Sequence, residues 1–164
     1  MDLQRLTNIS FRLGELLEEK KYLLTCAESC TGGWVSQSIT SVAGSSKWFG
    51  TGFVTYSYES KCNILGVSLD DLNNYGAVSE EIVKQMVEGA ISKSGANIGV
   101  AISGIAGPDG GTDSKPTGTV CFAWKINDTN TITSTELFYG NREKVRYHSV
   151  EKALLGTIEI IKNI

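Results

Sequence analysis

The sequence predicts an α/β fold, a single-domain α/β/α sandwich on a mixed sheet, spanning residues 1–164. Three observations carry this. Short apolar runs alternate with longer amphipathic stretches through most of the chain, two β-rich runs joined by a turn follow, and no repeat or linker divides the sequence. Strands that alternate with helices pair in parallel, whereas a late hairpin adds antiparallel strands, so the sheet is mixed with helices on its faces. At 164 residues, 41% of them hydrophobic, the chain can bury one substantial core.

Leu3, Leu6, Phe11, Leu13, Leu16 and Leu17 recur at roughly helical spacing before the charged EEKK, predicting an amphipathic helix over residues 3–19. Residues 22–26 form a short buried strand and residues 29–39 the next helix. The turn-rich SVAGSS then leads into a β-branched and aromatic strand over 48–57. Residues 59–65 return as helix. Ser79, followed by Glu80 and Glu81, marks a helix start with acids in its first turn, and Ile82, Met86, Val87, Ala90 and Ile91 supply its buried face. Residues 97–102 are a buried strand, and 103–118 are too rich in Gly and Pro for anything but a loop. Residues 119–125 and 131–139 form the antiparallel pair. The closing helix, 142–161, buries Val145, Val150, Leu154, Ile158 and Ile161.

A net charge of −3 argues against a broad footprint for nucleic acid or an anionic membrane, although a local basic pocket can still hold one phosphate. The expected partner is a small molecule. No apolar stretch is long enough to span a bilayer, and MDLQRLTNISFRL lacks the apolar core of a secretory signal, so a soluble cytoplasmic protein is expected. Cys26, Cys30, Cys62 and Cys121 lack metal-ligand spacing and His148 is the single histidine, which favours small buried thiols over zinc or disulfides.

Ligands of open α/β sheets bind beyond the carboxyl ends of the strands, and four predicted loops there are polar. TCAESCTGG, residues 25–33, places Ser29 where a strand hands over to a helix. Unsatisfied N–H groups at that helix start would stabilise an anionic intermediate, but a serine there can equally be a helix cap. YSYESK brings Tyr56 and Lys61. A third loop opens with Ser103 and Gly104, and FYGNREK sets Arg142 at the start of the last helix. With no Ser/His/Asp set evident, Lys61 is the candidate base for Ser29, provided that burial or a nearby cation lowers its pKa from about 10.4. A solvated helix lysine is the plain alternative, and Tyr56 can equally be an ordinary strand aromatic. The Gly107 loop matches neither GxxxxGK[ST] nor GxGxxG, and is expected to let main chain approach a ligand or a neighbouring subunit.

TCAESCTGG, AGSSKWFGTGFVTYSYESK, YGAVSE, ISGIAGPDGG and KPTGTVCFAW occur in this order over most of the chain. Together they closely resemble the CinA C-terminal domain family, which includes stand-alone nicotinamide mononucleotide amidases. The resemblance implies hydrolysis of the carboxamide of nicotinamide mononucleotide to nicotinic acid mononucleotide and ammonia, a step in NAD recycling, without metal or cofactor. The family's serine nucleophile falls on Ser29 and its lysine base on Lys61. Tyr56, Ser103 and Arg142 match positions of the same pocket, with N–H groups at Cys30 and Thr31 expected to hold the oxyanion. Arg142 is the expected phosphate anchor, with Ser45, Ser46 and the Gly107 loop as competitors. No molybdopterin-binding-like domain of the kind longer members carry is expected, so activities tied to it are not expected to carry over. Members generally self-associate, so a homo-oligomer is expected, with Trp48, Phe49 and Tyr75 available for an interface. Two other readings remain at this stage: a non-catalytic nucleotide-binding or assembly module linked to competence or DNA damage, and a Ser/Lys amidase with another substrate.

Overall fold

The computed structural model describes residues 1–163. Five strands form one sheet in the order β2-β1-β3-β4-β5. β1 (Leu24–Glu28) lies between β2 (Phe49–Val54) and β3 (Ile98–Gly104) and runs parallel to both; β4 (Thr119–Ile126) and β5 (Ile132–Leu137) continue antiparallel. The mixed sheet and its closing hairpin are therefore as the sequence predicts. β1, β3 and β4 are buried almost throughout, as expected of central strands covered on both faces.

α1 (Leu3–Lys20), α2 (Trp34–Thr40) and α6 (Arg142–Lys162) cover one face, where Leu13, Leu17, Val35, Ile39, Val150 and Leu154 pack on Leu24, Val100 and Phe122. The other face carries α3 (Tyr58–Leu65), α4 (Leu69–Tyr75) and α5 (Glu80–Ser94), with Leu65, Leu72, Met86 and Val87 over Ala27, Ala101 and Ala123. Small strand residues on this face let α5 sit close to the sheet. On the first face two tryptophans fill the space above glycines: a Cβ at Gly14 would lie 2.7 Å from the Trp48 ring, and one at Gly156 2.4 Å from Trp124. Trp48 is thus a core residue, not the interface aromatic the sequence left possible, while Tyr75 is exposed.

Most boundaries fall within two residues of expectation. α4 was not foreseen, although Ser68 caps it and Asp70 and Asp71 occupy its first turn. The larger departure is α2, which starts at Trp34 and not at Ser29. Gly32 and Gly33 both adopt positive φ, 62° and 94°, and hold residues 29–33 in a separate turn. No described helix is long and apolar enough to cross a membrane.

Candidate active site

The carboxyl ends of β1, β2 and β3 meet in one place. Beyond the pair Glu28–Ile102, the Ser29 N–H still donates to the Ile102 carbonyl at 3.0 Å, so the strand ladder itself holds the nucleophile candidate. Ser103 is the next residue along β3. It is buried, and its hydroxyl makes no hydrogen bond among the described residues. Beyond β2, Thr55 follows the strand and Ser57 caps α3 through a reciprocal capping box with Ser60. That cap starts α3 one turn before Lys61, whose side chain turns back beneath the loop.

Lys61 is completely buried. Its Nζ donates to the Thr55 carbonyl at 2.7 Å, reaches the Tyr56 carbonyl at 3.5 Å and lies 3.1 Å from Ser29 Oγ. No carboxylate among the described residues pairs with this ammonium. Burial accordingly lowers its pKa from 10.5 to about 8, against small opposing effects of Cys30 and Cys62. A solvated helix lysine is excluded. In the neutral form two N–H bonds can stay on the main-chain carbonyls while the lone pair accepts the Ser29 hydroxyl proton, as a general base requires.

Glu28 occupies the helix N-terminus that the sequence reading offered to an oxyanion. Its carboxylate is fully buried and accepts from the N–H groups of Gly33 and Val35 at 3.0 Å, of Ser36 at 2.9 Å, and from Ser36 Oγ at 2.8 Å. The N-terminus of α2 is therefore capped from inside and is not free for an oxyanion. The free donors lie earlier. In the 29–33 turn Gly32 N–H bonds the Ser29 carbonyl, leaving Thr31 N–H outside any hydrogen bond among the described residues and Cys30 N–H with only its own Sγ as a contact. Burial pushes the Cys30 thiol up to about 12, so it stays protonated beside Ser29. The absence of a Ser, Thr, Asp or Asn immediately before Trp34 was the one sequence signal that another group must cap α2.

The remaining candidates divide. Arg142 donates from Nη1 to the Gly107 carbonyl at 2.9 Å and from Nη2 to the Tyr56 hydroxyl at 3.1 Å. The Tyr56 ring is exposed, and only its carbonyl approaches Lys61, so its hydroxyl belongs with Arg142 and not with the Ser29–Lys61 pair. Ser45 and Ser46 are not brought to the site. They precede β2 at the amino end of the sheet, where Leu24 N–H bonds the Trp48 carbonyl, about 16 Å of strand away from Ser29. Gly104 meets a packing need, since a Cβ there would lie 2.7 Å from Val120. The Gly107 loop is likewise folded on its own chain: a Cβ at Gly111 would lie 2.6 Å from the Thr117 nitrogen, and Lys115 Nζ reaches the Tyr75 carbonyl at 2.8 Å. Among the cysteines, all four are free, and only Cys62 is less than buried. No group of three or more His, Cys, Asp or Glu among the described residues is placed to hold a metal.

Comparison with known proteins matches residues 6–161 to the CinA C-terminal domain. The chain is 46% identical over 164 residues to the nicotinamide-nucleotide amidohydrolase PncC of Enterobacter agglomerans, covering 99% of this chain and all of that protein. It is 48% identical to the protein of that name from Escherichia coli K12, covering 91% and 90% respectively. Among solved structures, a CinA superfamily protein from Klebsiella pneumoniae superposes with a TM-score of 0.93 at 36% identity, over 97% of this chain and 99% of that one. A competence/damage inducible protein from Agrobacterium tumefaciens gives 0.91 at 37%, over 94% of each. With its mixed five-stranded sheet and a family match over nearly its whole length, the chain belongs to the CinA C-terminal domain family.

Proposed function

We propose that this protein is a nicotinamide-nucleotide amidase that hydrolyses the carboxamide of nicotinamide mononucleotide through an acyl-enzyme on Ser29. The observation that carries the mechanism is the buried Lys61 amine, with a lowered pKa and no carboxylate partner, 3.1 Å from Ser29 Oγ. The substrate follows from the relatives named for this activity.

Neutral Lys61 takes the Ser29 proton as Oγ attacks the carboxamide carbon, giving a tetrahedral oxyanion that the free N–H groups of Cys30 and Thr31 receive. Collapse breaks the C–N bond, and the Lys61 ammonium returns its proton to the departing nitrogen, which leaves as ammonia. Lys61, neutral again, deprotonates a water that attacks the nicotinoyl ester. Ser29 departs and recovers its proton, and the acid product leaves as the carboxylate. The positive pyridinium ring makes the carbonyl carbon more electrophilic than that of an ordinary amide. Arg142, exposed and with donors beyond its two protein contacts, is the phosphate anchor in this reading. A cytoplasmic location and self-association go with it as expectations that cell fractionation and light scattering test.

Incubation of the chelator-treated protein with nicotinamide mononucleotide, following ammonia and nicotinic acid mononucleotide together, is the direct experiment. Equimolar products from the wild type and none from a folded Ser29→Ala variant are expected. A folded wild type without turnover overturns the activity.

A further inference from the structure

Arg146 sits on α6, one turn beyond Arg142, against the carbonyls of the nucleophile turn. Its Nε donates to the Cys30 carbonyl at 3.0 Å and its Nη2 to the Thr31 carbonyl at 2.8 Å, while the guanidinium carbon stands 5.4 Å from the centre of the Trp34 ring. One planar cation thus bridges two successive carbonyls of the turn that carries Ser29. We propose that Arg146 is a positioning residue for the oxyanion site, fixing the peptide units whose free N–H groups face the reacting carbonyl. This inference rests on the amidase reading above.

The geometry of the peptide bond gives the reason. In a trans unit the C=O and the N–H point in opposite directions. The Cys30 carbonyl shares its unit with the Thr31 N–H, so tying that carbonyl to Arg146 turns the Thr31 N–H to the side away from α6. The next unit, Thr31 C=O with Gly32 N–H, is held at both ends, its carbonyl by Arg146 Nη2 and by the Trp34 N–H at 3.2 Å, its N–H by the Ser29 carbonyl at 3.0 Å, so Arg146 is decisive only for the unit of Cys30 C=O and Thr31 N–H. The unit before, Ser29 C=O with Cys30 N–H, is fixed by that same Gly32 bond. All three units are therefore locked, and the two N–H groups left over, Cys30 and Thr31, have set directions. Were the Arg146 bonds absent, the middle unit would have no partner at either end, because the Thr31 N–H is itself free. A second effect acts in the same direction. Charge-assisted hydrogen bonds polarise the carbonyls they reach, which makes the N–H of the same unit a stronger donor. The two bonds need a planar fork, and a lysine in this place supplies only a point charge.

Initial-rate kinetics on nicotinamide mononucleotide with wild type, Arg146→Met, Arg146→Lys and Arg146→Ala test this, with thermal melts to establish folding. Methionine retains an aliphatic stem against Trp34. The expected result for R146M is a fall in kcat of about 100-fold, within the range for a lost oxyanion donor, with KM changed less than about threefold. The pH midpoint of kcat should not move, since Arg146 acts on the acceptor of charge and not on Lys61. R146K should fall between the two, and methylguanidinium added to R146A should restore part of the turnover, which a general loss of structure would not allow. A folded R146M with wild-type kcat, a rise in KM alone, or a shifted pH midpoint overturns the inference. If R146M does not fold, R146K carries the same test. Wild type that fails to turn over the mononucleotide sinks the amidase reading and this inference together, whereas active wild type with an equally active R146M sinks only the inference.

Discussion

The Thr55 N–H donates to the Glu28 carbonyl at 2.9 Å, and the carbonyl of the same Thr55 accepts from Lys61 Nζ at 2.7 Å. One residue thus joins the β1 turn to the base. The first bond extends the parallel β1–β2 ladder one step past Val54, so the position of Lys61 relative to Ser29 is set by main-chain pairing. Loop flexibility has little part in it. The Thr55 hydroxyl is buried without a hydrogen-bond partner, so the residue acts here through its backbone.

The lowered Lys61 pKa fixes the pH dependence. Catalysis needs the neutral amine, so kcat should climb about tenfold per pH unit below the midpoint and level off above about pH 8. A profile of kcat from pH 5.5 to 9.5 checks this. A flat profile, or one that falls as pH rises through 7, removes Lys61 from the role of base.

The same shift predicts a stability effect. Unfolded, Lys61 keeps its proton to about 10.5, whereas folded it releases it at about 8, so the unfolded state holds more protons between these values and stability rises with pH across that window. Below the window the buried charge costs about 3 kcal/mol, from about 1.4 kcal/mol per unit. Lys61→Met removes the charge and the activity. Urea melts at pH 7 and 10.5 should show the variant's stability, relative to wild type, lower by about 3 kcal/mol at the higher pH. Parallel behaviour of the two proteins would mean that Lys61 titrates normally.

The layers and the mixed sheet with its closing hairpin were legible in the sequence because apolar periodicity and the Gly/Pro-rich loop report burial along each element, whereas the order β2-β1-β3-β4-β5 came only from the structure. Ser29 and Lys61 stood out for the same reason, each lying at a strand's carboxyl end. What escaped lies in side chains that return to their own main chain. Glu28 fell in the polar turn after a strand expected to end at residue 26, yet it caps a helix starting six residues later, and Arg146, unremarked within the closing helix, grips a turn 115 residues away. Neither contact leaves a local pattern. Ser45 and Ser46 misled in the opposite sense, since their motif neighbourhood suggested a phosphate site while the β1–β2 register puts them at the far end of the sheet.

Glu28 offers a sharp test because both of its carboxylate oxygens accept from N–H groups. In Glu28→Gln either orientation of the amide sets its NH2 against a donor, Gly33 and Val35 on one side or Ser36 on the other. A loss of about 2–3 kcal/mol in urea melts is expected. Turnover should also drop in the folded variant, since movement of α2 carries the 29–33 turn with it. Unchanged stability would mean that the α2 cap does not depend on two accepting oxygens at Glu28.

Arg142 faces two demands, tying the Gly107 loop and Tyr56 together and, in the proposed reading, holding the substrate phosphate. Nicotinamide riboside, which lacks the phosphate, separates them. If Arg142 binds the phosphate, Arg142→Ala should lower kcat/KM for the mononucleotide by about 10- to 100-fold, the worth of one charge-assisted contact, and leave the riboside nearly unaffected. Tyr56→Phe removes only the acceptor for Nη2 and should cost far less on both substrates. The preference for mononucleotide over riboside then collapses in the arginine variant alone. Equal losses on the two substrates would assign Arg142 to the loop, and the phosphate would have to be held elsewhere.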